Sequence, residues 1–186
     1  MKTLYYIAVV LPSPVADAVR TLQHRAHTAY HSRAALRSPP HITLQPPFRQ
    51  PLDQVANLKQ VLAEFASVYL PFPVGLNGFG CFLPRAVFVS VVENQMLSTV
   101  RHDLIRTLIQ NQIVGPDEQP LRTFHPHVTI AFRDLIRCHF KSLWDEVEHK
   151  SFADQFTADG ITLLQHNGKG WSAETDFPFR QEDADV

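Results

Sequence analysis

Three things are scarce in this chain of 186 residues, and each scarcity narrows what it can be. There are only two cysteines, Cys81 and Cys138, far apart and outside any CxxC pattern. That suits a reducing compartment and two half-buried thiols rather than a disulfide-stapled secreted domain. Net charge is almost absent, at −1, so there is no polycationic surface of the kind that grips duplex DNA through many phosphates. Any phosphate must be held locally. Long apolar runs are missing too, none reaching the roughly twenty residues of a membrane span. The run from Leu4 to Leu11 follows Lys2, and Ala16-Asp17-Ala18 faintly resembles a cleavage site. Yet the run is short, rich in aromatic and β-branched residues and stopped by Pro12 and Pro14, which describes a buried first strand better than a signal peptide. The expectation is a soluble, cytoplasmic, monomeric protein with no membrane partner.

What is present is core material, with 45% of residues hydrophobic, enough for one compact domain or two small lobes sharing a cleft. After the first strand, Ser13-Pro14 reads as a helix start, with the helix running to about His31. A short extended segment follows at His41 to Leu44. Leu52, Val55, Leu58, Val61, Leu62 and Phe65 then recur at helical spacing, and Phe72 to Phe82, carrying Gly75, Gly78 and Gly80, reads as a bent strand or hairpin. The second half repeats that order: a β-rich run at Ala86 to Val92, a helix marked by Leu97, Val100, Leu104, Ile105 and Leu108, and a loop with Gly115-Pro116. An extended segment at His127 to Ile130, a helix from about His139 to His149, and strand-like runs at Phe156 to Leu164 and Trp171 to Phe179 complete it. This predicts an α+β fold of two pseudo-symmetric lobes with antiparallel sheets around a central cleft. Residues 1–180 form a single domain whose element repeats span roughly 1–82 and 86–180, and 181–186 form a disordered tail.

The short strands also match residue for residue, as Pro40-His41-Ile42-Thr43-Leu44 and Pro126-His127-Val128-Thr129-Ile130. Side chains alternate along a strand, so each segment shows an imidazole and a hydroxyl on one face and two apolar side chains on the other. A lone His-x-Thr is more economically read as a strand histidine. Two copies at equivalent places in a repeated order point to a site. Histidine is the residue suited to both proton donation and acceptance near neutral pH.

On these motifs, the opening strand at Tyr5 to Leu11 and the element order, the chain resembles the 2H phosphoesterases. These include RNA 2′,3′-cyclic phosphodiesterases and bacterial 2′-5′ RNA ligases, and the resemblance spans nearly the whole chain. It implies two α+β lobes around a groove, His41 and His127 as a metal-independent acid–base pair, Thr43 and Thr129 on the substrate phosphate, no cofactor, and RNA ends or small cyclic nucleotides as partners. By the same analogy His41 protonates the leaving ribose oxygen and His127 activates water; reversing the reaction exchanges the roles and gives ligation. Two imidazoles in one cleft should titrate as a coupled pair.

The match is imperfect in places. Many relatives have a basic residue where this chain has Phe132, so Arg133 is either a phosphate ligand or the partner of Asp134. The first motif continues into Gln45-Pro46-Pro47-Phe48 instead of a glycine turn, which leaves Phe48 as a base-stacking surface or a packing residue. Lys169, in His166-Asn167-Gly168-Lys169, is either a phosphate contact or a solvated hairpin tip. His24, His27 and His31 lie at helical spacing without acidic or cysteine companions and read as surface residues. A rival reading groups His41, His125 and His127 as zinc ligands in a metallohydrolase, and a noncatalytic binder of RNA ends or nucleotides is the other class left open.

Overall fold

In the computed structural model, which describes residues 2–115 and 123–181, the elements run in the expected order. They are β1 (Lys2–Val10), α1 (Val15–Tyr30), a 3₁₀ turn at Ala34–Arg37, β2 (His41–Pro51), a second 3₁₀ turn at Leu52–Gln54, α2 (Val55–Ala66) and β3 (Phe72–Phe82). Then follow β4 (Ala86–Val91), α3 (Gln95–Gln110), β5 (His127–Phe132), α4 (Arg137–Val147), β6 (Ala153–Ala158), β7 (Gly160–His166) and β8 (Trp171–Pro178). The expected tail after Arg180 lies outside the described residues from 182 onward, as does Pro116 of the expected loop. Among the described residues no helix is long and apolar enough to cross a membrane.

All eight strands join one antiparallel sheet in the order β6-β3-β4-β5-β2-β1-β7-β8. Exchanging β1 with β4, β2 with β5, β3 with β7 and β6 with β8 reverses that order onto itself, so the sheet has the pseudo-twofold relation the repeat implied. Two features were not foreseen. The halves are joined in a single sheet through the β2–β5 pair at Ile42 and Val128, and they are interleaved, since β3 pairs with β4 while β7 pairs with β1. Nothing in a local hydrophobic pattern says which distant strand will be a partner.

The sheet is strongly curled, and chain connectivity requires it. β6 and β7 are separated in sequence by Asp159 alone, so their adjoining ends lie within about 7 Å. Yet they stand six strand spacings apart, about 29 Å if the sheet were flat. The expected strand from Phe156 to Leu164 is therefore cut in two where the chain crosses between opposite ends of the sheet. Gly160 sits at the crossing because a Cβ there would lie 2.5 Å from the Phe177 carbonyl oxygen.

β2 is longer than its motif suggested, and the proline pair explains how. β1 and β2 keep register from Lys2↔Pro51 to Tyr5↔Phe48 and again from Ala8↔Thr43 to Val10↔His41, with shifts on either side of Ile7↔Gln45, the first of them leaving a gap between Phe48 and Gln45. Pro46 and Pro47 fall in that gap, where a missing N–H costs no ladder bond. At the start of α1 it is Pro14, not Ser13, that occupies the capping position, without a side-chain cap. The helix ends at His31, whose φ of 57° is left-handed.

The main core gathers Tyr5, Ile7 and Val9 of β1 with Ile42, Leu44 and Phe48 of β2, Val128 and Ile130 of β5, and the apolar faces of the four helices. Tyr6 and Ala8, on the other face of β1, form a small second cluster with Leu164 against which Val10 and Trp171 pack. That face is the cleft side. We expect Gly160→Ala to destabilise the fold by about 1–3 kcal/mol, because the added methyl meets backbone rather than a movable side chain; equilibrium urea unfolding measures it.

Candidate active site

His41 and His127 open β2 and β5, the two central strands, and their backbones run side by side through Ile42 and Val128. The burial of His41-Ile42-Thr43-Leu44-Gln45 repeats in His127-Val128-Thr129-Ile130-Ala131: half-buried, buried, half-buried, buried, buried. Alternation thus sends both imidazoles and both hydroxyls to the cleft face and the aliphatic side chains to the core. His41, Thr43, His127 and Thr129 all line one cavity of about 460 Å³. Among the described residues neither threonine hydroxyl has a hydrogen-bond partner in the protein.

Each imidazole is held in the same way. His41 Nδ1 lies 2.7 Å from the Pro39 carbonyl oxygen, and His127 Nδ1 lies 2.6 Å from the His125 carbonyl oxygen. A carbonyl oxygen only accepts, so Nδ1 carries the proton in both rings, and in the neutral form each Nε2 is a free acceptor. The backbone two residues upstream thereby sets tautomer and ring orientation together.

Burial drives the His41 pKa down to about 4; the Pro39 hydrogen bond opposes this, while His127 and the Arg20 cation add to it. The His127 pKa is also lowered, by burial first, against the His125 hydrogen bond and with a further push from the His125 ring. In both rings burial thus favours the neutral form in the free protein. Tyr6 covers His41, its ring centroid 4.9 Å away, and its hydroxyl bonds the Ser38 hydroxyl. Phe82 and Phe88 flank His127 at 5.1 and 4.8 Å.

A polar link below the cleft ties the two motifs together. Gln23 of α1 is 2% exposed and donates from Nε2 to the Thr129 carbonyl oxygen at 2.9 Å. Its Oε1 accepts from Arg20 at 2.9 Å, and Arg20 donates on to the Ser38 carbonyl oxygen at 3.0 Å and the Leu36 carbonyl oxygen at 3.4 Å. One helix thus fixes the backbone of the second threonine and of the loop that braces the first histidine. Burial lowers the Arg20 pKa, but a guanidinium stays charged.

The other anticipated residues divide. Arg133 lines the cavity, has a φ of 61° and lies over the Phe132 ring at 5.2 Å. It does not pair with Asp134, whose carboxylate accepts from Ser32 Oγ at 2.8 Å and the Arg33 N–H at 3.1 Å. Phe48 is 4% exposed in the core and offers no face to a base. Counting in twos from His41 puts it with Ile42 and Leu44, a consequence hidden while the strand was taken to stop at Leu44. Lys169 is outside this cavity and lines a neighbouring groove. His125 is exposed and absent from the lining, and among the described residues no three His, Cys, Asp or Glu side chains are grouped to hold an ion. His24 and His31 are exposed, but His27 is half-buried, with an Nδ1 that has no hydrogen-bond partner among the described residues. Of the thiols, Cys81 is half-buried and Cys138 is exposed.

Several cavity residues were not anticipated: Tyr6, Gln23, Arg37, Ser38, Phe82, His166 and Trp171. A signal existed for Gln23, an amide in line with Val15, Val19 and Ala26 on the buried face of α1. Tyr6 alternates with Tyr5 and Ile7 and so faces away from the main core. Trp171 and His166 arrive through the β7–β8 hairpin, which local patterning does not place.

A sequence model of the 2′-5′ RNA ligase superfamily matches residues 11–170. The chain belongs to that superfamily, and so to the 2H phosphoesterases. A protein of Geobacillus kaustophilus whose name assigns it provisionally to the phosphoesterases is 26% identical over 176 residues, covering 93% of this chain and 94% of its own. A similarly named protein of Geobacillus thermodenitrificans is 27% identical over 176 residues, covering 92% and 94%. In fold, this 2H phosphoesterase is similar to TT0787 of Thermus thermophilus, with a TM-score of 0.75, 21% identity, and 97% and 100% of the two chains covered. LigT of Escherichia coli, crystallised with 3′-AMP, gives a TM-score of 0.74 at 16% identity, covering 96% and 99%.

Because Arg20 opposes a second positive charge at His41, Arg20→Gln should raise the His41 pKa from its lowered value toward 6.5. Proton NMR titration of the imidazole reads this directly, and an unchanged His41 curve would refute the electrostatic account of Arg20.

Proposed function

We propose that this enzyme opens 2′,3′-cyclic phosphates of RNA ends or nucleotides by a metal-independent two-histidine mechanism. The observation that carries the reading is the pair of carbonyl-braced imidazoles in one cavity with two threonine hydroxyls, the Nε2 atoms and the hydroxyls all without a partner among the described residues. The likeness to LigT, crystallised with 3′-AMP, ATP, NADP+ and phosphate, supports a nucleotide phosphate as occupant.

Water attacks phosphorus in line with the departing ribose oxygen. Neutral His127 takes the water proton at Nε2 as the new P–O bond forms, and protonated His41 delivers its Nε2 proton to the leaving ribose oxygen as the old bond breaks. The product is a phosphomonoester with a free ribose hydroxyl. The pair has exchanged proton states and resets through solvent. Thr43 and Thr129 donate to the nonbridging oxygens, whose charge grows in the transition state, and Arg133 at the cavity wall adds a cation. With a 5′-hydroxyl in place of water the same pair joins two ends: His127 takes the 5′-hydroxyl proton as that oxygen bonds phosphorus, His41 protonates the departing 3′ oxygen, and a 2′-5′ linkage is left.

The lowered pKa values need one further step. The mechanism requires one protonated ring, which the free enzyme holds only on the acid side. An anionic phosphate entering between the rings favours the protonated form. The profile of kcat/KM, which reports free enzyme, should therefore be a bell centred below pH 6.5, with the kcat profile displaced to higher pH. A kcat/KM bell centred well above 6.5 would contradict this.

The decisive assay is hydrolysis of an oligonucleotide ending in a 2′,3′-cyclic phosphate, in excess EDTA. Turnover should persist and fall by about 10²–10⁴-fold in folded His41→Ala and in folded His127→Ala. Loss of wild-type turnover in EDTA would point to the metallohydrolase instead, and an affinity for RNA ends or nucleotides untouched by both substitutions, without turnover, to a binding protein.

A further inference from the structure

Beside the catalytic cavity runs a second groove, of about 590 Å³, which shares Arg37, Ser38, Gly170 and Trp171 with it. Arg20, Arg37 and Lys169 bring three cations to its lining, which among the described residues contains no Asp or Glu. Arg20 is occupied by carbonyl oxygens of the loop and supplies background potential. Arg37 and Lys169 are exposed and, among the described residues, form no ion pair.

The hairpin tip carrying Lys169 is braced. Asn167 Oδ1 accepts from the Lys169 and Gly170 N–H groups at 3.1 and 2.9 Å, and the Asn167 N–H donates to the Gly170 carbonyl oxygen at 3.0 Å. Gly170 lets the tip close onto the 3₁₀ turn at Ala34–Arg37, since a Cβ there would lie 2.7 Å from the Arg37 carbonyl oxygen. Trp171 stands at the border, with Tyr6 at 4.6 Å and His166 at 4.9 Å, both edge-on.

The geometry points to this groove as the binding site for the internucleotide phosphate next to the reacting end, which makes the preferred substrate an oligoribonucleotide rather than a mononucleotide. A mononucleotide has one phosphate, and the histidine pair consumes it. A second anion site joined to the first by an indole fits a chain with a further phosphodiester and a base to stack at the border. This assignment rests on the phosphodiesterase reading above, so binding and turnover are measured separately.

Binding is followed by fluorescence anisotropy with a 5′-labelled trinucleotide carrying a 3′-phosphate, and by its competition with a 3′-phosphorylated mononucleotide. The wild type should bind the trinucleotide more tightly. Its log–log salt dependence should be steeper by about 0.7 for the added phosphate contact on a single strand. Lys169→Glu, at an exposed hairpin tip, should abolish that preference and that extra slope while leaving mononucleotide affinity unchanged. Equal affinities and slopes for the two ligands in the wild type, or a trinucleotide affinity indifferent to Lys169→Glu, would overturn the assignment. Hydrolysis of a 2′,3′-cyclic mononucleotide by both proteins reports separately on the phosphodiesterase reading. Its failure with the binding difference intact would leave the groove as an oligonucleotide site and remove only the chemistry.

Discussion

The hydrogen bonds from His41 Nδ1 to the Pro39 carbonyl and from His127 Nδ1 to the His125 carbonyl determine what this cleft can do. A neutral imidazole free to choose its tautomer presents either nitrogen, and a mobile one presents neither in a fixed direction. Here the backbone that leads into each strand makes the choice. The proline before each histidine, Pro40 and Pro126, favours an extended residue ahead of it, which helps carry the preceding carbonyl back to the ring. Burial then disfavours the charged form of both rings, and the proposed mechanism needs a bound anion to favour the protonated form of one of them again.

Such a pair is useful only if its members are held at a fixed separation, and they come from different halves of the chain. The β2–β5 junction is thin, which gives weight to the interactions that cross it elsewhere. Gln23 reaches the Thr129 carbonyl from α1, and Arg20 holds Gln23 and the Ser38 carbonyl together. An unsatisfied buried amide or carbonyl would cost about 1–3 kcal/mol, so this chain of bonds is cheaper to keep than to break. Curling of the sheet, enforced by the one-residue passage from β6 to β7, brings Trp171 and His166 over the same face. The cleft is a product of long-range topology as much as of the two motifs.

Much of this was legible in the residues. Periodicity located α2 and α3, because amphipathic faces must repeat at 3.6 residues, the Ser13-Pro14 pair marked the start of α1, and apolar runs marked most strands. The repeated His-x-Thr with its flanking proline named the four central side chains. What escaped was nonlocal. The exchange of β3 and β7 between halves depends on partners far apart in sequence. The break at Gly160 depends on a carbonyl of β8. The length of β2 was masked by Pro46-Pro47, which a single strand would reject but a register irregularity accepts, and that left Phe48 open between core and cleft. Lys169 reads in sequence as either a phosphate contact or a solvated hairpin tip, and only the hairpin's position shows that it lines the groove beside the cleft.

The central claim is that both histidines aim a bare Nε2 at the cleft, and long-range proton–nitrogen NMR of the imidazole rings above pH 7 tests it most directly. The structure predicts the Nδ1–H tautomer for His41 and for His127, with both Nε2 atoms showing the shift of an unprotonated nitrogen. An Nε2–H tautomer in either ring would mean that its carbonyl brace is not made in solution, and the paired acid–base reading of this cleft would fail with it.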